Sequence, residues 1–139
     1  MIIPWDGADF AGAKLAALVD GHILTYRRDT KPDIPWPGLI DLPGGGREGD
    51  ESPATCVLRE LHEEFGLHLP ESRLWWARPF PAMDARSGSL GRTGWFLAVT
   101  ITHAEIAAIR FGDEGPSPHL PGVANFLAAS DAIAALQQR

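Results

Sequence analysis

"GGREGDESPATCVLRELHEEFGL", residues Gly45–Leu67, joins a glycine-rich turn to a segment with helical periodicity. Ser52 suits the N-cap of that helix, Pro53 is tolerated at its first position, and Gly66 is a natural stop. Apolar residues at three- and four-residue spacing predict one buried face, formed by Ala54, Leu58, Leu61 and Phe65 with Val57 at its edge. The stretch therefore predicts an amphipathic helix entered through a loop that permits close backbone approach.

Three glutamates crowd the other side of this predicted helix. At ~3.6 residues per turn, Glu60 has Glu63 and Glu64 as its next-turn neighbours, and like charges at that spacing repel. A solvated surface helix is the ordinary explanation of such a composition. Converging carboxylates, however, also suit Mg²⁺ or Mn²⁺, and Gly45 is a candidate ligand through its carbonyl. A divalent cation would turn the repulsion into coordination and attract a phosphate-bearing ligand.

The bulk composition predicts a single domain over residues 1–139, because 45% hydrophobic content in this length suffices for one core. Twelve Lys and Arg against 18 Asp and Glu give a net charge of −6, which argues against nucleic acid polymers and anionic membranes as partners. The single Cys56 excludes an internal disulfide, and neither a basic leader nor a membrane-spanning run is found. We expect a cytoplasmic protein and, as the commonest soluble assembly, a homodimer.

Strand patterns lie on both sides of the predicted helix. A hairpin is expected at 14–29, turning at Asp20-Gly21, and "GLIDLPGGG" predicts a short strand stopped by Pro43 and the glycines. Further expected elements are strands at 73–80 and 94–101 separated by a loop, a short helix capped by Thr102, a polar turn at 111–118 and a last helix at 131–139 capped by Ser130. This order predicts an α/β fold whose mixed sheet has helices on both faces.

The spacing within the opening stretch resembles a known signature. Gly45 is followed after five residues by Glu51, and after seven more by the run "RELHEEFGL" that begins at Arg59. This pattern resembles the Nudix hydrolase signature at every defining position, and "PWPGLIDLPGGG" looks like the strand and glycine loop that lead into it. The resemblance implies a Nudix-type α/β/α sandwich with a mixed β-sheet.

The same resemblance implies Mg²⁺-dependent (or Mn²⁺-dependent) hydrolysis of a diphosphate linkage in a nucleoside diphosphate derivative. A noncanonical or oxidised nucleoside triphosphate is one substrate, and ADP-ribose, another nucleotide sugar or a dinucleotide is the alternative. A non-catalytic nucleotide-binding regulatory module is the alternative from another class, although the signature here is intact. An isoprenoid diphosphate isomerase would call for a reactive cysteine outside the signature, whereas Cys56 lies within it.

Roles follow from the resemblance residue by residue. Glu60 and Glu64 look like the chief metal-binding carboxylates, with Glu63 as a further ligand or an aid to the attacking water. Arg59 resembles the arginine that orients a signature glutamate, here Glu51 or Glu60. The implied mechanism is attack on phosphorus by metal-activated water, whose proton is taken by a carboxylate.

The signature does not decide which carboxylate takes the proton. A downstream acidic loop, "FGDEGP", supplies the other candidate, because Glu114 looks like a base or metal ligand and Asp113 is its weaker neighbour. An ordinary solvated turn explains the same residues. Both interpretations remain open at this point.

Candidate substrate contacts come from arginines and aromatic residues. Arg27 and Arg28 end the first hairpin and point to opposite faces, so at most one of them can hold a phosphate. Trp36 and Phe80 lie near loop ends and are candidates for stacking on a nucleobase. The strand tryptophans, by contrast, are expected in the core, and the prolines after them are expected to mark a strand end: Trp75, Trp76, Trp95, Pro79 and Pro81.

Overall fold

The computed structural model describes residues 1–27, 33, 38–83, 90–110 and 125–128. Its seven strands are β1 (Gly12–Val19), β2 (His22–Arg27), β3 (Ile40–Asp41), β4 (Gly44–Gly46), β5 (Leu74–Met83), β6 (Leu90–Thr100) and β7 (Asn125–Ala128). Two helices, α1 (Pro53–Phe65) and α2 (His103–Ala107), and a short 3₁₀ turn at Glu71–Arg73 complete the described elements.

The strands form one mixed sheet in the order β3-β2-β1-β6-β5. β1 pairs with β6 in parallel. The pairs β1–β2 and β5–β6 are antiparallel. The start of β1 also pairs with β4, and β7 pairs with β2. The predicted α/β fold with a mixed sheet is therefore confirmed, while the last helix expected at 131–139 and the turn at 111–118 lie outside the described residues.

The first hairpin has the predicted turn. Asp20 and Gly21 have φ values of 46° and 74°, the positive angles that a type I′ turn requires. The second helix also has its predicted cap, because the Thr102 hydroxyl accepts from the backbone N–H of Glu105 at 3.1 Å. Within the described residues, no helix is both long and apolar enough to cross a bilayer.

Helix α1 begins and ends where the sequence predicts. The Ser52 hydroxyl accepts from the backbone N–H of Thr55, and Gly66 takes the left-handed conformation that ends the helix. Its buried face is rotated from the predicted one, however, because Ala54 and Leu58 are only partly buried. The buried residues of α1 are Pro53, Cys56, Val57, Leu61, Glu64 and Phe65. The expectation that Glu64 lies on the polar side was wrong.

The main core lies between α1 and one face of the sheet. Phe65 and Leu61 of α1 are fully buried there beside Leu15, Leu97 and Val99 of the central strands. A smaller cluster occupies the opposite face, with Ala16, Ile23, Leu42 and Ala98 as its buried members and Trp76 and Phe96 packed against them. Both faces of the sheet are thus apolar, and side chains alternate between them along β6.

β5 and β6 are longer than predicted. They enter the expected loop from both sides, and Pro79 and Pro81 lie within β5, opposite Trp95 and Thr93. The expectation that these prolines end the strand was wrong because β5 is the last strand in the sheet order, where a missing N–H is tolerated. The glycines also differ from the prediction, since Gly44–Gly46 form strand β4 themselves.

Candidate active site

The glycines of β4 bring its backbone into contact with the acidic side of α1. Gly44 has φ 137°, and a Cβ atom there would overlap the Ala13 carbonyl oxygen. A Cβ atom on Gly45 would lie 2.6 Å from the carboxyl carbon of Glu60. Only glycine therefore allows the Glu60 carboxylate to lie directly against the backbone at this position.

Glu64 is the most deeply buried of the three glutamates, with 5% of its surface exposed. Its Oε1 accepts the backbone N–H of Gly44 at 3.0 Å. Burial raises the pKa of Glu64 to about 8, although the Gly44 N–H and the charge of Lys14 act in the opposite direction. Additional positive charge beside Glu64 would favour its ionised form.

Glu60 lies one turn earlier, with 17% of its side chain exposed. Burial raises its pKa as well, while the hydrogen bond and charge of Arg59 lower it and the charge of Glu63 raises it further. The Gly45 carbonyl next to Glu60 accepts a long contact of 3.7 Å from the thiol of Cys56. Burial also raises the pKa of that thiol to about 11, so it stays protonated.

Arg59 connects the acidic residues to one another. Its Nε and Nη2 donate to the two oxygens of Glu51 at 2.7 and 3.0 Å, which is a bidentate ion pair. Nη1 donates to Glu60 Oε1 at 3.0 Å and to Glu63 Oε2 at 3.1 Å. The hydrogen bond from Arg59 holds the pKa of Glu51 below its ordinary value. The arginine thus contacts both Glu51 and Glu60, the two partners that the sequence left open.

These residues fit a divalent cation by their donor chemistry. Glu60 and Glu64 both reach the β4 backbone, and carboxylate and carbonyl oxygens are the ligands that Mg²⁺ and Mn²⁺ take. Among the described residues, no three His, Cys, Asp or Glu side chains are gathered closely enough to hold a metal ion. Glu63 is held by Arg59 instead, so it can serve as a further carboxylate ligand only if its side chain turns.

Sequence reasoning missed Lys14 and Asp41. The Lys14 ammonium donates to Asp41 Oδ2 at 2.9 Å, and the Asp41 side chain is only 3% exposed. Lys14 lies directly beside Gly44 on the neighbouring strand, and its charge lowers the pKa of Glu64. The two partners are 27 residues apart. In the sequence they are a lone lysine in an apolar strand and a lone aspartate, a signal too weak to single them out.

A cavity of about 250 Å³ lies on the sheet face opposite α1, lined by Trp76, Arg78, Pro79, Phe80 and Phe96. The Trp76 and Phe96 rings meet edge to face at 5.7 Å, and the Arg78 guanidinium lies 5.4 Å from the Trp76 ring. Phe80 is 38% exposed, whereas Trp95 on the other face is buried.

This cavity is in register with the glycine strand. Arg78 is paired with Phe96, Phe96 with Lys14, and Lys14 with Gly44, so the four residues form one row across the sheet. We call the cavity the aromatic cavity. It faces the same side of the sheet as Lys14, since residues opposite each other on neighbouring strands share a face.

A larger cavity of about 450 Å³ lies elsewhere, between the N-terminal residues and the start of α1. Its lining is mainly apolar and includes Trp5, Pro53, Leu74 and Trp95, and Glu71 is the carboxylate among the described residues that line it. Because the acidic residues and the lysine lie at β4 instead, the candidate active site is placed there and not at the larger cavity.

The remaining predicted contacts are outside what the structure describes. Arg27 is the last residue of β2, and its side chain is not among the described ones. Arg28, Trp36, Asp113 and Glu114 fall in the ranges that are left out. Trp75, which was expected in the core, is 47% exposed, so that prediction was wrong.

The chain matches the NUDIX domain family over residues 11–115. A MutT-like protein of Streptomyces ambofaciens is 28% identical over 120 residues, which cover 73% of this chain and 74% of that protein. An RNA pyrophosphohydrolase of Acidiphilium cryptum (strain JF-5) is 46% identical over 66 residues, but the alignment spans only 44% of this chain and 39% of that relative.

A similar fold is found in a bifunctional NMN adenylyltransferase/ADP ribose pyrophosphatase from Francisella tularensis, solved with AMP and a manganese ion. The two structures align with a TM-score of 0.52 and 23% sequence identity over 91% of this chain and 32% of the other. At this sequence identity, the comparison shows that the two proteins share a fold.

Proposed function

The chain belongs to the Nudix family, and we propose that it is a divalent-metal-dependent pyrophosphohydrolase that cleaves a diphosphate linkage in a nucleoside diphosphate derivative. The observation that carries this proposal is the Arg59 cluster. Arg59 is bound to Glu51 through two hydrogen bonds and also contacts Glu60 and Glu63, while Glu64 is held on the backbone of Gly44. A merely solvated helix would not bury one glutamate and join three others through one arginine.

Mg²⁺ or Mn²⁺ is the proposed cofactor, and Glu60, Glu64 and the Gly45 carbonyl are its proposed ligands. Three things support it: the hard oxygen donors, the divalent-metal dependence that is typical of the family, and the manganese ion in the Francisella structure. A bound cation would neutralise phosphate oxygens and lower the pKa of a water molecule that it holds.

The chain's own residues then have distinct proposed tasks. Arg59 holds Glu60 and Glu63 in place, and Lys14 supplies a fixed positive charge beside the β4 backbone. Glu63 has 32% of its side chain exposed and uses only Oε2 on Arg59. Among the described residues its Oε1 has no hydrogen-bond partner, so this oxygen can take the proton of an attacking water. Glu114 is the other proposed proton acceptor.

The aromatic cavity supports a small nucleotide as the substrate. With strands about 4.8 Å apart, the two strand spacings from Phe96 to Gly44 amount to about 10 Å. A base stacked between Phe80 and Trp76 could thus direct its phosphates along the row toward Lys14 and the glycine strand. A nucleoside triphosphate is the proposed substrate, with ADP-ribose, another nucleotide sugar or a dinucleotide as the alternative.

A 5′-triphosphorylated RNA is a second candidate substrate. It is favoured by one observation, the 46% identity to the Acidiphilium RNA pyrophosphohydrolase over 66 residues. The net charge of −6 acts against binding a long polyanion. The chemistry at phosphorus would be the same, so the two candidates differ only in what lies beyond the nucleotide.

The test is a panel of nucleoside triphosphates, nucleotide sugars, dinucleotides and 5′-triphosphorylated RNA, incubated with Mg²⁺ or with EDTA. We expect Mg²⁺-dependent cleavage of a diphosphate linkage by the wild type and a loss of at least about a hundredfold in Glu64→Gln. Glu71→Gln, an exposed glutamate outside this site, is the matched control and should keep the wild-type rate. Tight binding of one compound with no cleavage of any would support the regulatory module instead.

Phe80→Ala tests the aromatic cavity. Losing the stacking surface is expected to raise the KM for the preferred nucleotide about tenfold, while cleavage of inorganic tripolyphosphate, which has no base, stays unchanged. The control is Trp75→Ala, which removes an exposed ring of the same strand that does not line the cavity. An equal effect on both substrates would remove the cavity from the binding site.

A further inference from the structure

Arg47 lies in the loop between β4 and α1, and its side chain is only 15% exposed. The guanidinium packs over two aromatic rings of the N-terminal arm, residues 1–11, with its carbon 4.7 Å from the Phe10 centroid and 5.4 Å from that of Trp5. Nη1 donates to Asp9 Oδ1 at 2.9 Å, and the backbone N–H donates to the Ala11 carbonyl. Arg47 thus joins the N-terminal arm to the loop between β4 and α1.

The arm is itself fixed to the sheet. Asp9 Oδ2 accepts from Arg92 of β6 at 2.8 Å, and the Ala11 N–H donates to the Thr93 carbonyl at 2.8 Å. The Phe10 ring is fully buried. Arg47 is therefore held by a part of the molecule that is anchored on β6, away from α1.

A second donor of Arg47 contacts the residue that leads to the acidic site. Its Nε donates to the Glu51 backbone carbonyl at 2.8 Å. The carboxylate of the same Glu51 binds Arg59 through two hydrogen bonds, and Arg59 in turn holds Glu60 and Glu63. One continuous series of contacts thus runs from the arm to the carboxylates.

We infer that Arg47 is a positioning residue, which fixes the carboxylates of Glu60 and Glu63 through Glu51 and Arg59. The inference rests on the proposed function, because it takes Glu60 as a metal ligand and Glu63 as the residue that accepts the proton of the attacking water. A purely stabilising ion pair does not explain the arrangement, since Asp9 is 68% exposed and such pairs contribute little. The guanidinium is rigid and planar, so the donors that bind Asp9 and the Glu51 carbonyl are held in a fixed geometry relative to each other.

The experiment compares Arg47→Met, Arg47→Lys and Arg73→Met by calorimetric titration with Mn²⁺ and by melting temperature. Met keeps the packing over the rings and removes every polar contact of the side chain. We expect Arg47→Met to raise the Kd for Mn²⁺ about tenfold. Lys keeps a charge for Asp9 but has no planar fork, so its melting temperature should be close to that of the wild type while its Mn²⁺ affinity stays as low as that of Arg47→Met.

Arg73→Met is the control, because it breaks another partly buried arginine pair, with Glu105 at 2.7 Å, outside the site. It should lower the melting temperature and leave the Kd unchanged. Asp9→Asn gives a milder version with the aromatic packing intact, and its expected rise in Kd is about threefold.

Wild-type affinity in Arg47→Met, full recovery in Arg47→Lys, or an equal loss in Arg73→Met would overturn the positioning role. The readout needs no substrate. A wild type that binds Mn²⁺ but hydrolyses nothing would therefore refute the proposed activity and leave this comparison intact, whereas a wild type that binds no Mn²⁺ would refute both.

Discussion

Glu64 illustrates how a burial pattern can mislead when it is taken from apolar spacing alone. A glutamate counts as polar in such a pattern, so the sequence places Glu64 with Glu60 and Glu63 on the solvated side. In the fold it is 5% exposed and accepts the N–H of Gly44, a residue 20 positions earlier. The glycine strand makes this burial feasible, since the backbone N–H compensates part of the desolvation of the carboxyl group.

Other site residues were missed for a related reason. Lys14 pairs with Asp41, which is 27 residues away in the sequence, and Arg47 pairs with Asp9, which is 38 residues away. Local patterns carry no information about such pairs, because they form only when separate strands and the arm come together. The Arg59 cluster could be anticipated, since its members lie close together within a single recognisable signature.

Gly45→Ala tests the contact between the Glu60 carboxylate and the β4 backbone. The added Cβ would lie 2.6 Å from the Glu60 carboxyl carbon, so that side chain must shift. We expect the Kd for Mn²⁺ to rise at least about tenfold and stability to fall by about 1–3 kcal/mol, measured by calorimetry and urea unfolding.

Gly46→Ala is its neighbour and control, since in the described part of the chain a Cβ there meets only the Ala11 carbonyl oxygen, at 4.0 Å. Its metal affinity should stay near that of the wild type. Equal losses in the two variants would mean that contact between Glu60 and the Gly45 backbone is unimportant.

Elements with local signals were predicted well. The Asp20-Gly21 turn and the caps of α1 at Ser52 and Gly66 depend on residues within a few positions of each other. Strand lengths depend on pairing, and the sequence could not show that β5 would be the edge strand that accepts Pro79 and Pro81. The position of β5 at the end of the sheet order, and not the strand propensity of proline, explains why both prolines lie within a strand.

The stability that Glu105 of helix α2 contributes is expected to depend on pH. The Glu105 side chain caps the Thr102 N–H and pairs with Arg73, and the hydrogen bond from Arg73 lowers the pKa of Glu105 from 4.5 to about 2. A depressed folded-state pKa stabilises the fold above the unfolded value, and the contribution is lost as the pH falls from 4.5 toward 2.

Glu105→Gln should therefore cost about 1 kcal/mol of unfolding free energy at neutral pH. The difference from the wild type should shrink toward zero near the folded pKa of about 2, as followed by urea unfolding. Glu71→Gln, an exposed glutamate of the 3₁₀ turn, corrects for general acid effects. A difference that stays constant across this range would show that Glu105 contributes nothing through its charge.

In the molecule as a whole, the sheet order brings the aromatic cavity and the glycine strand into one row. Parallel pairing of β1 with β6 sets Phe96 beside Lys14, and β4 then adds Gly44 to the same row. The sequence predicted a mixed sheet but not this order, because the alternation of apolar residues fixes faces and leaves neighbours undetermined. The aromatic cavity could therefore be located only from the fold.

The net charge of −6 gives a prediction about substrate length. If a small nucleotide is the substrate, extending a nucleoside triphosphate to a 5′-triphosphorylated RNA of about ten nucleotides adds repelled phosphates and should lower kcat/KM at low salt. Raising the salt from about 0.05 to 0.3 M should partly restore the RNA rate through screening. A higher kcat/KM for the RNA, falling with salt, would instead favour the RNA-directed candidate.

We propose that the glutamates of α1 form a divalent cation site, so the stability of the fold should rise when the metal binds. The measurement is the free energy of unfolding of the wild type and of Glu64→Gln, with EDTA and with increasing Mg²⁺. At a hundred times the Kd, binding should stabilise the wild type by about 2.7 kcal/mol, and Glu64→Gln should lose most of that gain. A wild type that is unaffected by Mg²⁺, or a Glu64→Gln variant stabilised as much as the wild type, would contradict the claim.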